Sequence, residues 1–287
     1  MCELLGMSSL HPTDIGLSLH AFAKHGGKTG PHSDGWGVAY AMGRDFRLIK
    51  EPEPAAHSEC VRFIESHSFN SQLVISHIRR ASKPKRLNFE NTHPFDRELG
   101  GRRFVLAHNG DVRNVANLAE GVASRFSAMG STDSEALFCL IMNHLALRLK
   151  QGAGMDGMDA AHYRPAILLD VLEELTPALQ ERGKCNLLLS DGELLFAVGD
   201  NKLHWTARHC EMEGEGQLEG EGLRVRVRHP AEQQVALVAT VPLTGEPGWT
   251  PLRRGEILVF RHGEIVEHGA LRSEKPRPKA RRKQHAG

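Results

Sequence analysis

Position 2 of the chain is a cysteine, in the opening Met1-Cys2-Glu3-Leu4-Leu5-Gly6-Met7. Loss of Met1 would leave a thiol and a free α-amine on one residue, so nucleophile and base need no further alignment by the fold. An amine with a reference pKa of about 7.7–8 is a useful base near neutral pH, whereas a thiol near about 8.5 needs help to ionise. The mature N-terminus is therefore a candidate active site. Four polar clusters follow it: His32-Ser33-Asp34-Gly35-Trp36-Gly37, His77-Ile78-Arg79-Arg80-Ala81-Ser82, His108-Asn109-Gly110-Asp111 and Thr132-Asp133-Ser134-Glu135. Each has an ordinary reading of its own. Asn-Gly after a strand is usually a turn, an Arg after a strand is usually a surface charge, and a first-turn Asp favours the helix dipole.

The elements that must hold these residues follow from periodicity and turn chemistry. Cys2 to Met7 reads as a short strand, and Thr13 or Asp14 is a candidate cap for a helix ending at Gly26-Gly27. Trp36 to Met42 and Phe46 to Ile49 form a hairpin about Gly43-Arg44-Asp45, and His57 to His67 has helical spacing. Leu73 to Ile78 and Phe104 to Ala107 are apolar runs ending on polar residues, which is how sheets deliver side chains to a site. Thr132 and Glu135 have capping-box spacing ahead of a helix reaching Leu149, and a second helix covers Ala166 to Arg182 with a kink or restart at Thr176-Pro177. Beyond Gly183 the period changes to two, giving strands at Asn186–Ser190, Leu194–Val198, Leu203–Thr206, Val235–Thr240 and Ile257–Phe260. Glu211 to Gly222, alternating Glu and Gly, reads as a flexible acidic loop. Strands, two helices and strands again predict helices covering largely antiparallel sheets rather than repeated βαβ units.

With 287 residues, 40% hydrophobic and 25% charged, the chain suits a globular protein with a sizeable core. A net charge of +1 gives no general argument for nucleic acid or a membrane surface. The 5 cysteines are widely spaced with no C-x-x-C pair, which points to reduced thiols and a cytoplasmic location. No secretory leader or membrane span is expected, and the 17 histidines show no H-E-x-x-H spacing, so no metal is expected. Residues 272–287 are basic and interrupted by Pro276 and Pro278, and are expected to be a solvated tail behind a domain at 2–271.

Taken together and in order, the penultimate cysteine and the four clusters resemble the class II glutamine amidotransferase domain of the N-terminal nucleophile hydrolases, specifically its stand-alone YafJ-like group. The resemblance reaches about Phe260 and includes Glu90-Asn91-Thr92-His93-Pro94-Phe95, Leu187-Leu188-Leu189-Ser190-Asp191-Gly192 and Pro242-Leu243-Thr244. It implies an α+β fold, a four-layer αββα sandwich of two antiparallel sheets. It also implies that Cys2 attacks the side-chain carbonyl of glutamine, or of a γ-glutamyl amide, while its α-amine relays the proton to the departing nitrogen. By the same resemblance, Asn109 and the Gly110 N–H stabilise the oxyanion, Arg79 grips the α-carboxylate with Ser82 beside it, and Asp133 takes the α-ammonium. Asp34 and Gly35 belong to the loop that shapes or covers the glutamine pocket, and His77 and His108 are expected to be structural. No cofactor is implied. Two positions depart from the pattern of many synthases, which have an aromatic residue where this chain has Arg80 and often His where it has Lys83. No synthase domain is expected after the amidotransferase-like region, so a separate protein would accept the ammonia. The alternative from another class is a noncatalytic glutamine-binding or regulatory subunit on the same fold.

Overall fold

A computed structural model describes residues 2–14, 22–67, 69–81, 87–153, 163–210, 214–220, 223–229, 232–243 and 248–274. The strands in chain order are β1 (Glu3–Asp14), β2 (Trp36–Met42), β3 (Asp45–Glu51), β4 (Asn70–Ile78), β5 (Phe95–Leu99), β6 (Arg102–Val112), β7 (Gly183–Ser190) and β8 (Leu195–Val198). They continue as β9 (His204–Cys210), β10 (Gly214–Gly220), β11 (Leu223–His229), β12 (Gln233–Ala239), β13 (Thr250–Pro251), β14 (Ile257–Arg261) and β15 (Glu264–Ile265). The helices are α1 (Glu59–Ser66), α2 (Asp133–Ala153), α3 (Pro165–Glu181) and α4 (His268–Ser273). A 7-stranded sheet has the order β13-β9-β12-β1-β4-β2-β3, and a 6-stranded sheet has the order β15-β14-β8-β7-β6-β5. Every pairing within them is antiparallel.

Alternation along the strands assigns the layers. In β1, Leu4 joins the core between the two sheets, with Ala39, Ile75, Val105, Ala107, Leu188 and Val238, while Leu5 turns to the outer face beside Val61 and Ile64 of α1. In β6, Phe104 and Leu106 face α2 and α3, whose Leu137, Phe138, Leu168 and Leu172 complete the other outer core. The result is the expected sandwich of helix, sheet, sheet and helix. Leu188 is fully buried in the central layer. Leu188→Ala is expected to cost about 2–5 kcal/mol, read as a lower denaturation midpoint at unchanged m-value. Among the described residues no helix is long and apolar enough to cross a membrane.

Several boundaries differ from expectation. β1 runs on to Asp14, with Thr13 and Asp14 opposite Ser71 and Asn70, so those two residues extend a strand rather than cap a helix. Of the span where that helix was expected, residues 15–21 lie outside the described residues and residues 22–24 are helical. α3 passes through Pro177 without a break. Residues 214–220 are strand, not loop: β10 pairs with β11 over seven register positions, placing Glu215 opposite Arg228 and Glu219 opposite Arg224. The expected tail begins with Arg272, which sits in α4 and pairs with Asp170 and Glu173 of α3, while residues 275–287 lie outside the described residues.

Candidate active site

The start of β1, the end of β4, the last residues of β6, the first of β7 and the N-terminus of α2 converge at one end of the sandwich. There they surround a cavity of about 750 Å³ lined by Cys2, Arg79, Arg80, Ala81, His93, His108, Gly110, Asp111, Ser131, Thr132, Asp133, Ser134, Gly183 and Lys184. Cys2 is placed by register, since Glu3 pairs with Ile78 and the Arg80 N–H donates to Cys2 Sγ at 3.3 Å. Burial pushes the thiol above its ordinary pKa, against the pull of the Arg80 backbone and the Arg79 charge. A thiol in that state requires a nearby proton acceptor to become nucleophilic.

Asn109-Gly110 is not a turn. Both residues are inside β6, opposite Asn186 and Cys185 of β7. The glycine is required by close approach, because a Cβ at position 110 would come within 1.8 Å of the Lys184 carbonyl oxygen. Asn109 is fully buried, and neither polar atom of its side-chain amide has a hydrogen-bond partner among the described residues. Buried amides are almost always paired, and this exception lies one residue from the cavity wall at Gly110. Its backbone is held from behind by Asn186, whose side-chain N–H donates to the Asn109 carbonyl at 3.1 Å. The Asn186 side-chain oxygen in turn accepts from the backbone N–H groups of Asp200, Asn201 and Lys202. Sequence reasoning did not single out Asn186; the available signal was one amide directly ahead of the apolar run Leu187-Leu188-Leu189.

Asp133 opens α2 and accepts from the Val112 N–H at 2.7 Å, so the end of β6 and the first helical turn are tied together. Half of the expected capping box forms: Thr132 Oγ1 accepts from the Glu135 N–H at 3.2 Å. The Glu135 carboxylate turns instead to the N–H groups of Met129 and Gly130 and to Arg97, fixing the loop before the helix. His108 contacts Ser134 Oγ at 2.9 Å and the Lys184 carbonyl at 3.3 Å. His77 and His93 stack with ring centroids 4.0 Å apart, and burial lowers both pKa values well below the imidazole norm. These two rings are therefore neutral at physiological pH.

Of the residues expected at the site, Cys2, Arg79, Gly110 and Asp133 line the cavity, and Asn109 is buried next to Gly110. Asp34 and Gly35 do not line it. Gly35 accepts from the Arg79 N–H through its carbonyl at 2.7 Å, the Asp34 carbonyl accepts from Arg79 Nη1 at 3.3 Å, and the Asp34 carboxylate accepts from the Ala81 N–H at 2.8 Å. They hold the guanidinium and the following backbone in place. Ser82 lies outside the described residues.

Comparison with known proteins identifies the family. Residues 1–284 match the family model of the class II glutamine amidotransferases. The chain is 35% identical over 268 residues to YafJ of Escherichia coli (strain K12), provisionally named a glutamine amidotransferase, covering 93% of this chain and 100% of that one. It is 33% identical to a predicted glutamine amidotransferase from Pseudomonas aeruginosa PA01 of known crystal structure, with a TM-score of 0.68 over 93% of this chain and 100% of that one. Glutamine phosphoribosylpyrophosphate amidotransferase of Bacillus subtilis superposes with a TM-score of 0.58 at 16% identity, covering 92% of this chain and 48% of that one, a likeness of fold. The chain belongs to the class II glutamine amidotransferases.

Proposed function

We propose that the protein hydrolyses the side-chain amide of glutamine, or of a γ-glutamyl compound, with Cys2 as the nucleophile once Met1 has been removed. The observation that supports this most is the convergence of Cys2, Arg79, Gly110 and Asp133, distant in sequence, on one cavity. The α-carboxylate of the substrate meets the Arg79 guanidinium, and the α-ammonium meets the Asp133 carboxylate. The Cys2 thiol passes its proton to the residue's own α-amine and adds to the amide carbon. The resulting oxyanion is received by the Asn109 side chain and the Gly110 N–H. The protonated amine then delivers its proton to the leaving nitrogen, the C–N bond breaks, and water hydrolyses the glutamyl thioester. Among the described residues Cys2, Cys60, Cys139 and Cys185 are free thiols, and the proposed setting is the cytoplasm. Released ammonia would pass to a separate acceptor protein.

The test is ammonia or amine release from glutamine and a panel of γ-glutamyl amides, using protein whose intact mass shows that Met1 is gone. Silence towards the whole panel by correctly processed protein would count against hydrolysis and in favour of a binding role. Asn109→Ala should retain the fold and lower kcat by about 10²–10³-fold, the usual loss for one oxyanion donor. An unchanged kcat in that variant would remove Asn109 from the oxyanion site.

A further inference from the structure

The proposed chemistry uses Cys2, Asn109, Gly110, Arg79 and Asp133, and leaves two cations of the cavity without a task. Arg80 and Lys184 both line it, and both are exposed. Among the described residues neither belongs to an ion pair within 4.0 Å. Their backbones decide which part of a substrate they face. The Arg80 N–H and carbonyl bracket Cys2 Sγ at 3.3 and 3.5 Å. The Lys184 carbonyl is the group that a Cβ on Gly110 would strike. Both residues therefore flank the sulfur and the oxyanion donor, where the bond breaks. Apart from Arg79 and Asp133, the lining of the cavity holds two cations, Arg80 and Lys184, against one carboxylate, Asp111, which stands opposite Lys184 across β6 and β7.

Size supports the same conclusion. A cavity of about 750 Å³ falls in the range of about 300–1,000 Å³ that encloses drug-sized ligands, and a single amino acid leaves much of it unfilled. We propose that the amine half of the substrate bears a carboxylate received by Lys184 and Arg80, so that the preferred substrates are γ-glutamyl amino acids or short γ-glutamyl peptides. In such compounds the carboxylate lies one carbon from the scissile nitrogen, which is why its cation must sit beside the nucleophile. The bonds broken and formed are those described above. The nitrogen leaves as an amino acid, carrying the proton relayed from the thiol, and water releases glutamate from Cys2. This inference rests on the reading of Cys2 as nucleophile.

The experiment compares kcat/KM for γ-glutamylglycine and γ-glutamylglycinamide, which differ in that carboxylate, with free glutamine as a third substrate. The wild type should favour γ-glutamylglycine over the amide by roughly five- to tenfold, with the preference shrinking at high salt as the charges are screened. The ratio should fall towards one in Lys184→Met and in Arg80→Met together, and survive in Lys184→Arg. Equal kcat/KM for the two compounds in the wild type, or a ratio that persists in the double variant, overturns the carboxylate subsite while leaving the nucleophile reading intact. Turnover of none of the three by correctly processed protein overturns the nucleophile reading and this inference with it.

Discussion

Cys2→Ala is expected to abolish turnover of every γ-glutamyl substrate, lowering kcat by on the order of 10⁴-fold or more. The substitution removes the atom proposed to form the thioester and leaves the other residues of the cavity in place. Cys2 immediately precedes β1 and lines the cavity, and the strand's stability comes from Leu4, Leu5 and Met7, which remain in the two cores. The variant should therefore keep the thermal midpoint of the wild type and still bind glutamine through Arg79 and Asp133, measurable by calorimetry. Cys2→Ser separates nucleophile strength from shape, because a hydroxyl is far harder to ionise than a thiol. Intact masses of all three proteins establish that position 2 is the first residue in each. Retention of more than a tenth of wild-type kcat by Cys2→Ala would end the assignment.

Gly110→Ala should be nearly as severe, with a fall in kcat on the order of 10³-fold, since it moves both proposed oxyanion donors together. The added Cβ would meet the Lys184 carbonyl oxygen at 1.8 Å and its carbon at 2.6 Å. Both are backbone atoms of the adjacent strand, so no rotamer change relieves the clash, and β6 must separate locally from β7. Asn109 shares that ladder and is held by Asn186 across it, so its side chain shifts as well. Overpacking of this kind typically costs about 1–3 kcal/mol of stability, and a lower thermal midpoint should accompany the loss of rate. Wild-type kcat in Gly110→Ala would show that the ladder can open without consequence, contrary to the role given to this N–H.

Most strands and the two long helices were legible because alternation and helical spacing report which face of an element is buried. The ends were harder. Asn109-Gly110 reads as a turn by composition, and only the partner strand shows that the glycine serves close packing within β6. Asp34 and Gly35 were expected, through the resemblance, in the loop that shapes or covers the pocket, and their hydrogen bonds go to Arg79 and Ala81 of the cavity wall. Asn186 drew no notice, since its work is done entirely on backbone groups of other segments. The β10–β11 ribbon went unread because β10, rich in Glu and Gly, looks like a loop until β11 is set beside it.

By itself the amino-acid order determined the candidate nucleophile, the apolar faces of the principal elements, and the set of residue types that amide chemistry on an amino acid requires. Tertiary structure alone decided that β1 lies between β12 and β4, and that Cys2, Arg79, Gly110 and Asp133 share one cavity with Lys184 at its edge. The physical reason is that burial patterns are local whereas strand pairing is not. A period of two says that a side chain is covered without saying by what, and the chemistry of this site depends on the neighbours.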